Sequence, residues 1–315
     1  MRLTGHNAGL GVASQASAWR CGSTAGSAAA VPDLHAYREA VADLLTEIPD
    51  DAGAANPGRA EMILAKRIDE PEFAAILSAT PHGMDETVER LLRDIRMLGW
   101  GSRSSAADLT SLIRICLFAQ IEVMWWGQVP MFGTDSDALH SADLVDLEAL
   151  RRRGLLRFRY RRQAETLVAR ATRAAQRRLR PGGTPRTAGL RLARTRREVV
   201  TLLNQLSRAF GRAAPAGTPP LWVTSLARSV EHQHRLRDLG YAALLPSSHC
   251  AGWATDIEMS WFRRFGAHRA LQSLLLERQQ AGVINVIDEG QAWHACISPA
   301  GAGGLWDDFD AEVGG

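Results

Sequence analysis

Cysteine is scarce in this chain, with four residues among 315. They are Cys21, Cys116, Cys250 and Cys296, and none belongs to a C-x-x-C pair. Four scattered cysteines are too few for a disulfide framework, and the missing pairs exclude a cysteine-rich structural zinc site. A bridge between Cys250 and Cys296 is conceivable, but we expect two inert buried thiols there.

Lysine is almost missing as well, since Lys66 is the only one. We attribute this bias towards arginine to genome composition and not to a binding function. The formal net charge of +3 predicts no strong preference for an acidic or basic partner. However, residues 151–180 contain many arginines and a single acid, Glu165. This stretch could be a basic amphipathic helix for nucleic acid or anionic lipid, or a solvated helix whose arginines pair with acids elsewhere; we favour the second.

The chain also lacks a long uninterrupted apolar run. Its most apolar stretch, residues 109–132, contains Arg114 and Glu122, which predicts a buried helix and not a membrane span. Residues 1–31 are rich in Gly, Ser and Ala and lack the hydrophobic segment of a secretory signal. We therefore expect a disordered N-terminus and a soluble, cytoplasmic protein.

The periodicity of the apolar residues divides the remaining chain into two parts. The pattern is helical over residues 32–185, and helices alternate with short strands over 186–315. The predicted fold class is α+β: an all-helical N-terminal domain, then a small domain with an antiparallel sheet. Helices are predicted over 34–47, 59–79, 85–98, 106–126, 143–179, 199–210, 229–240 and 265–281. Strands are predicted over 221–224, 253–259, 283–287 and 292–297.

A decapeptide in the second part has the residue types of a metal site. Residues 247–256 follow the pattern S-x-H-x-x-G-x-A-x-D, and a Trp-His pair ends 38 residues after the aspartate. His249, Asp256 and His294 form a plausible set of three zinc ligands with one open position. An open position distinguishes a hydrolytic zinc site from a structural one, so the pattern points towards an enzyme.

The residues around these ligands suit such a site. If residues 253–259 form a strand, Ala254, Asp256 and Glu258 share one face, because side chains alternate. Gly252 allows a sharp turn before the strand, and Ala254 leaves room for an ion or a substrate. Two simpler interpretations stay open: Asp256 could pair with an arginine such as Arg263, and Glu258 could be an exposed strand acid.

The decapeptide and the Trp-His pair resemble the LAS zinc metallopeptidases, which include bacterial D-alanyl-D-alanine dipeptidases and carboxypeptidases and the hedgehog signalling domains. A second block, Val223 to Ser229 followed by Gln233, is similar to the family's strand and arginine segment. The resemblance covers about residues 190–300. It implies that the two histidines and the aspartate bind zinc, that Arg228 holds a substrate carbonyl or carboxylate, and that Ser247 contacts the substrate backbone.

The resemblance also implies a mechanism, in which zinc polarises the scissile carbonyl and a carboxylate moves a proton from water to the leaving amine. The dipeptidases place that carboxylate three residues before the second histidine, where this chain has Gln291. The nearest acids are Glu289 and Asp288. We predict that a tight turn at Gly290 brings Glu289 to the metal as general base.

The leading prediction is therefore a zinc-dependent hydrolase that acts on a peptide bond or a related amide bond. Because Gln291 replaces the usual acid, a non-catalytic zinc-binding or ligand-binding module is the alternative. An arginine-rich adaptor for nucleic acid or membrane is a third. The family's usual substrates are cell-wall peptides. Without an export signal, a cytoplasmic dipeptide, a peptidoglycan precursor or a specialised-metabolite amide fits at least as well.

Overall fold

The structure, a computed structural model, describes residues 32–48, 57–98, 106–164 and 183–313, with Thr166, Ala175 and Arg178. The predictions for residues 1–31 and for much of the arginine-rich stretch lie outside these residues. The described residues from Pro32 onwards belong to one compact unit.

The first part of the chain is helical, as predicted. Its helices are α1 (Leu34–Glu47), α2 (Pro57–Arg67), α3 (Pro71–Ser78), α4 (Gly83–Met97) and α5 (Leu109–Trp126). The helix predicted over 59–79 is two helices, because Pro71 lacks an amide hydrogen and begins a new helix. Asp33 and Asp108 cap α1 and α5 by accepting hydrogen bonds from backbone N–H groups.

The single helix predicted over 143–179 is wrong in its described part. The described residues between 135 and 213 form α6 (Asp135–His140), β1 (Val145–Asp146), α7 (Leu147–Arg152), β2 (Arg159–Tyr160), β3 (Arg194–Thr195) and α8 (Arg197–Ala213). Gly154 takes a φ of +74°, which turns the chain away from the helix axis directly after α7. The described arginines between 157 and 162 therefore do not continue the face of α7.

The last part alternates strands and helices. Its elements are β4 (Trp222–Ser225), α9 (Val230–Asp238), β5 (Ala254–Glu258), α10 (His268–Gln280), β6 (Ile284–Asp288), β7 (Ala292–Ile297) and α11 (Pro299–Val313), with 3-10 turns at Ser248–Ala251 and Phe262–Phe265. The four predicted strands are confirmed within one or two residues. Helix α11 has no counterpart among the predictions.

Five strands form one sheet in the order β2-β4-β5-β7-β6. Strand β2 is parallel to β4, and the other neighbours are antiparallel, so the sheet is mixed and not wholly antiparallel. Strands β1 and β3 form a separate pair. The α+β class is confirmed, although β2 joins the sheet from the region predicted to be helical.

Helices cover both faces of this sheet. Ile287 of β6 packs in the core of helices α1–α5, whereas its neighbour Val286 packs in the core that includes α8, α10 and α11. Adjacent strand residues point to opposite faces, so the two helical layers lie on opposite sides. By length and composition α5 could cross a membrane, but half of it is buried between the N-terminal helices and the sheet.

Candidate metal centre

Two of the predicted ligands face each other across neighbouring strands. Asp256 on β5 is the direct partner of His294 on β7 in the antiparallel register. Directly opposed residues of antiparallel strands project from the same face, so the two side chains are neighbours. Both residues are buried, with 6% of their surface exposed.

The third ligand enters from the turn before β5. His249 lies in the 3-10 turn Ser248–Ala251, and Gly252 follows with a φ of +79°. This left-handed conformation favours glycine, and a Cβ added at Gly252 would lie 2.9 Å from Leu144 Cδ2. The prediction that Gly252 turns the chain sharply between His249 and Asp256 is confirmed.

One atom from each ligand converges on a common point. Asp256 Oδ1 lies 3.0 Å from His249 Nε2 and 3.0 Å from His294 Nδ1, and the two ring nitrogens are 3.2 Å apart. Ligands about 2.0 Å from a tetrahedral ion lie about 3.3 Å from one another, close to these distances. The buried group of His249, Asp256 and His294 could therefore hold a metal ion.

The outer nitrogen of each ring contacts a group that accepts hydrogen bonds. His249 Nδ1 lies 2.8 Å from the carbonyl oxygen of Leu226, and His294 Nε2 lies 3.0 Å from each carboxylate oxygen of Glu122. Both outer nitrogens therefore carry a proton, and in neutral rings the inner nitrogens direct lone pairs towards Asp256 Oδ1. Three acceptors that face one another need a cation or a proton between them.

The two histidines differ in charge. Burial and the positive charge of Arg228 lower the pKa of His249, which favours the neutral ring. Burial also opposes a charge on His294, yet its contacts with Glu122 and Asp256 raise the pKa of this ring well above its usual value. A proton on His294 thus stabilises the cluster, and a metal ion must displace it to bind.

Arg228 holds the second oxygen of Asp256. Its Nη2 donates to Asp256 Oδ2 at 2.6 Å, its Nε to Ser225 Oγ at 2.7 Å, and its Nη1 to Gln233 Oε1 at 3.3 Å. Burial would raise the pKa of Asp256, but the neighbouring His249, the charge of Arg228 and the hydrogen bonds with both histidines outweigh burial and hold that pKa well below its usual range. The aspartate therefore stays ionised, as a metal ligand must.

A second acid, Glu122 on α5, joins the cluster from the helical layer. Besides His294, Ser248 Oγ and Asn285 Nδ2 donate to its carboxylate, the latter at 3.0 Å. Burial alone would raise the pKa of Glu122, but the charge of His294 and these hydrogen bonds lower it below its usual value. In the sequence, Glu122 stands out only as a charge within the apolar stretch 109–132, and that interruption is the available sign of its role.

A cleft of about 590 Å³ opens beside the ligands. His249 and His294 line it, together with Arg228 and Ser247, so both residues predicted to bind a substrate border this space. The apolar lining comes from α5, from the loop before the 3-10 turn and from β6. It includes Ile115, Ala119, Val123, Leu244, Pro246 and Ile287.

Glu289 lines the same cleft, from the turn between β6 and β7. Gly290 takes a φ of +76° in this turn, and the N–H of Glu289 donates to the carbonyl of Ala292 at 3.1 Å. Burial, followed by the negative charge of Asp256, raises the pKa of Glu289 to about 7. Gln291 is exposed, so the position that is acidic in the dipeptidases lies outside the cleft lining here.

Glu258 has a structural role and is not an exposed strand acid. Its carboxylate is buried and accepts a hydrogen bond from the N–H of Trp261 at 2.9 Å, which holds the turn after β5. The arginine that pairs with Asp256 is Arg228 and not Arg263.

The remaining residues singled out near the ligands pack in the core. Trp253 stacks on Trp126 with their ring centroids 4.1 Å apart, and Trp293 is buried among the sheet-face residues. Cys250 and Cys296 are free, buried thiols, as expected.

Comparison of the chain with known protein families, with curated proteins and with solved structures finds no match in any of the three.

Proposed function

We propose that the protein is a zinc-dependent hydrolase that cleaves a peptide bond or a related amide bond. One observation carries this proposal: His249 Nε2, Asp256 Oδ1 and His294 Nδ1 converge beside a cleft that also contains Glu289. Three protein ligands leave the fourth tetrahedral position open, which is typical of catalytic zinc sites. The likeness of the motif to the LAS zinc metallopeptidases supports the same function.

The donor set favours a transition metal such as zinc over magnesium or calcium. Two imidazole nitrogens and one carboxylate oxygen are too nitrogen-rich for magnesium or calcium, which prefer shells of oxygen. The short separations between the donor atoms suit a tetrahedral ion.

Bound zinc supplies a Lewis acid for the substrate carbonyl and lowers the pKa of a bound water towards ~7. Glu289 accepts a proton from the attacking water and passes it to the leaving amine. A pKa near 7 suits both steps, because the carboxylate and the carboxylic acid are then both populated. Arg228 keeps N–H groups beyond its three hydrogen bonds, and these can bind the substrate carbonyl.

The cleft lining narrows the substrate class. Its aliphatic residues, among them Ile115, Val123 and Ile287, favour an aliphatic group beside the scissile bond. Arg228 adds a positive charge that suits a carboxylate or a carbonyl, and Ser247 can bond a peptide backbone. A short peptide or peptide-like amide with a small aliphatic side chain fits the aliphatic lining, the charge of Arg228 and the hydroxyl of Ser247.

Metal analysis of the purified protein is the first test. We expect about one zinc per chain in the wild type and in His234→Ala, whose histidine is exposed on α9, and almost none in His249→Ala. The second test is a library of short peptides and peptide amides, which includes D-alanyl-D-alanine, assayed for release of free amine. Activity should disappear with a chelator and return with added zinc.

Failure of the metal test and failure of the activity test would lead to different conclusions. A wild-type protein without zinc, or equal zinc in His249→Ala, would refute the metal site. Stoichiometric zinc without release of amine from any library member would instead favour the non-catalytic zinc module, to which Gln291 points.

A further inference from the structure

The helical layer takes part in the metal site itself. We propose that Glu122 on α5 is a positioning residue that makes His294 a metal ligand, because it fixes the tautomer of the ring and places a negative charge behind it. The inference rests on the zinc site proposed above. It extends that site to α5, which lies outside the stretch that resembles the LAS peptidases.

The contact between Glu122 and His294 determines which ring nitrogen can bind metal. His294 Nε2 lies 3.0 Å from both carboxylate oxygens of Glu122, so this nitrogen carries the hydrogen. The lone pair is then on Nδ1, which faces Asp256 Oδ1 at 3.0 Å. In the other tautomer, a hydrogen on Nδ1 would occupy the position of the ion. Metal-binding histidines commonly donate their other N–H to a carboxylate, which also strengthens the ring as a ligand.

The carboxylate of Glu122 is itself held in place. Asn285 Nδ2 donates to Glu122 Oε1 at 3.0 Å, and Ser248 Oγ donates to Oε2. The amide of Asn285 is oriented by Arg38 on α1, whose Nη2 donates to Asn285 Oδ1 at 3.1 Å. A continuous chain of hydrogen bonds thus runs from Arg38 through Asn285 and Glu122 to His294.

The helix does not need an acid at this position for its own stability. Glu122 is 5% exposed and lies on an apolar helix among buried leucines, isoleucines and valines. An apolar residue of similar volume would avoid the cost of taking a carboxylate out of water, which amounts to several kcal/mol. The acid is explained by its partner His294 and not by the packing of α5.

The test uses Glu122→Gln, which keeps the shape of the side chain and removes its charge. We expect zinc affinity, measured by competition with a chromophoric chelator, to fall about 10- to 100-fold. Glu198→Gln is the matched control, because Glu198 is a buried acid on α8 that does not line the cleft. Its zinc affinity should equal that of the wild type.

A second readout reports the tautomer directly. Long-range ¹H–¹⁵N NMR spectra of the zinc-loaded wild type should show the hydrogen of His294 on Nε2. In zinc-free Glu122→Gln the new amide can donate to Nε2, so we expect a population in which Nε2 carries no hydrogen, whereas Nε2 keeps its hydrogen in the zinc-free wild type. A role confined to fold stability would not change this tautomer in a variant with native circular dichroism.

The outcomes separate this inference from the proposed function. If the wild type binds no zinc, both fail. If the wild type binds zinc and hydrolyses its substrate while Glu122→Gln binds zinc within about twofold of it, only the role of Glu122 is overturned. If Glu122→Gln does not fold, Ser248→Ala tests the inference instead, because it removes one hydrogen bond to the carboxylate of Glu122. We expect about 3- to 10-fold weaker zinc binding in that variant, and unchanged affinity would contradict the inference.

Discussion

The two glutamates beside His294, Glu122 and Glu289, have opposite properties. Glu122 is buried, accepts hydrogen bonds from His294, Ser248 and Asn285, and has a lowered pKa. Glu289 is partly buried, and no residue in the described part of the chain donates a hydrogen bond to its carboxylate. Its pKa is raised to about 7.

This difference shows that burial alone does not decide the charge of an acid. Removal from water opposes ionisation of Glu122 and of Glu289, but only Glu122 has enough donors to outweigh it. The ionised acid can hold a histidine in place, whereas the acid that is half protonated near neutral pH can exchange protons. One residue type thus supplies a fixed charge and a mobile proton within one site.

The largest expected effect that separates the two acids is on turnover. Glu289→Gln should lower kcat by about 10²- to 10⁴-fold, because an amide cannot accept the proton of the attacking water. Its zinc content should stay unchanged, since Glu289 is not a ligand. Glu122→Gln should show the reverse pattern, with weak zinc binding and a kcat near that of the wild type at saturating zinc. Equal turnover in Glu289→Gln and wild type would remove Glu289 from the mechanism.

A smaller effect is expected on the stability of the zinc-free protein. Because folding raises the pKa of Glu289 from 4.5 to about 7, its ionisation favours the unfolded chain. The resulting penalty is absent below pH 4.5, develops between pH 4.5 and 7, and is complete above pH 7. Glu289→Gln should therefore gain about 1–3 kcal/mol over the wild type at pH 8 relative to pH 4.5.

Urea unfolding of both proteins with chelator present measures this gain. Glu277→Gln, which removes an acid exposed on α10, serves as the control for the loss of a carboxylate away from the cleft. A stability difference between wild type and Glu289→Gln that does not change with pH would show that Glu289 is ionised at no cost.

The smallest effect is expected at the position where the dipeptidases carry their acid. Gln291 is exposed, and only its backbone is engaged, where its carbonyl accepts from the N–H of Met259 at 3.2 Å. Gln291→Glu should change kcat by less than about twofold, since a carboxylate there reaches solvent and not the cleft. Combined with Glu289→Gln, it should restore no activity. Recovery of turnover in the double variant would show that the turn can present either residue to the substrate.

Local patterns in the sequence were sufficient for the strands and for the ligands. Alternation along 253–259 and the glycine before it predict that His249 and Asp256 meet, and the strand over 292–297 adds His294. The turn at Gly290 joins β6 to β7, whereas the register that pairs Asp256 with His294 joins β5 to β7, which α10 and β6 separate in the chain, so no local pattern encodes it.

Contacts between distant segments could not be predicted in this way. The pairing of Glu122 with His294 depends on how α5 lies on the sheet, and no periodicity encodes that distance. The hydrogen bond between Arg228 and Asp256 likewise joins two segments whose approach no local pattern predicts. The prediction of one helix over 143–179 failed for another reason. Arginine has a high helical propensity, so the run of arginines favours a helix, but Gly154 turns the chain directly after α7.

The bond between Glu122 and His294 joins residues 172 positions apart. His294 can therefore contact Glu122 only after all the residues between them have been synthesised. Closing so long a loop costs conformational entropy, and the packing of α5 on the sheet offsets this cost. We therefore expect the proposed metal ion to bind tightly only after the helical layer and the sheet have joined.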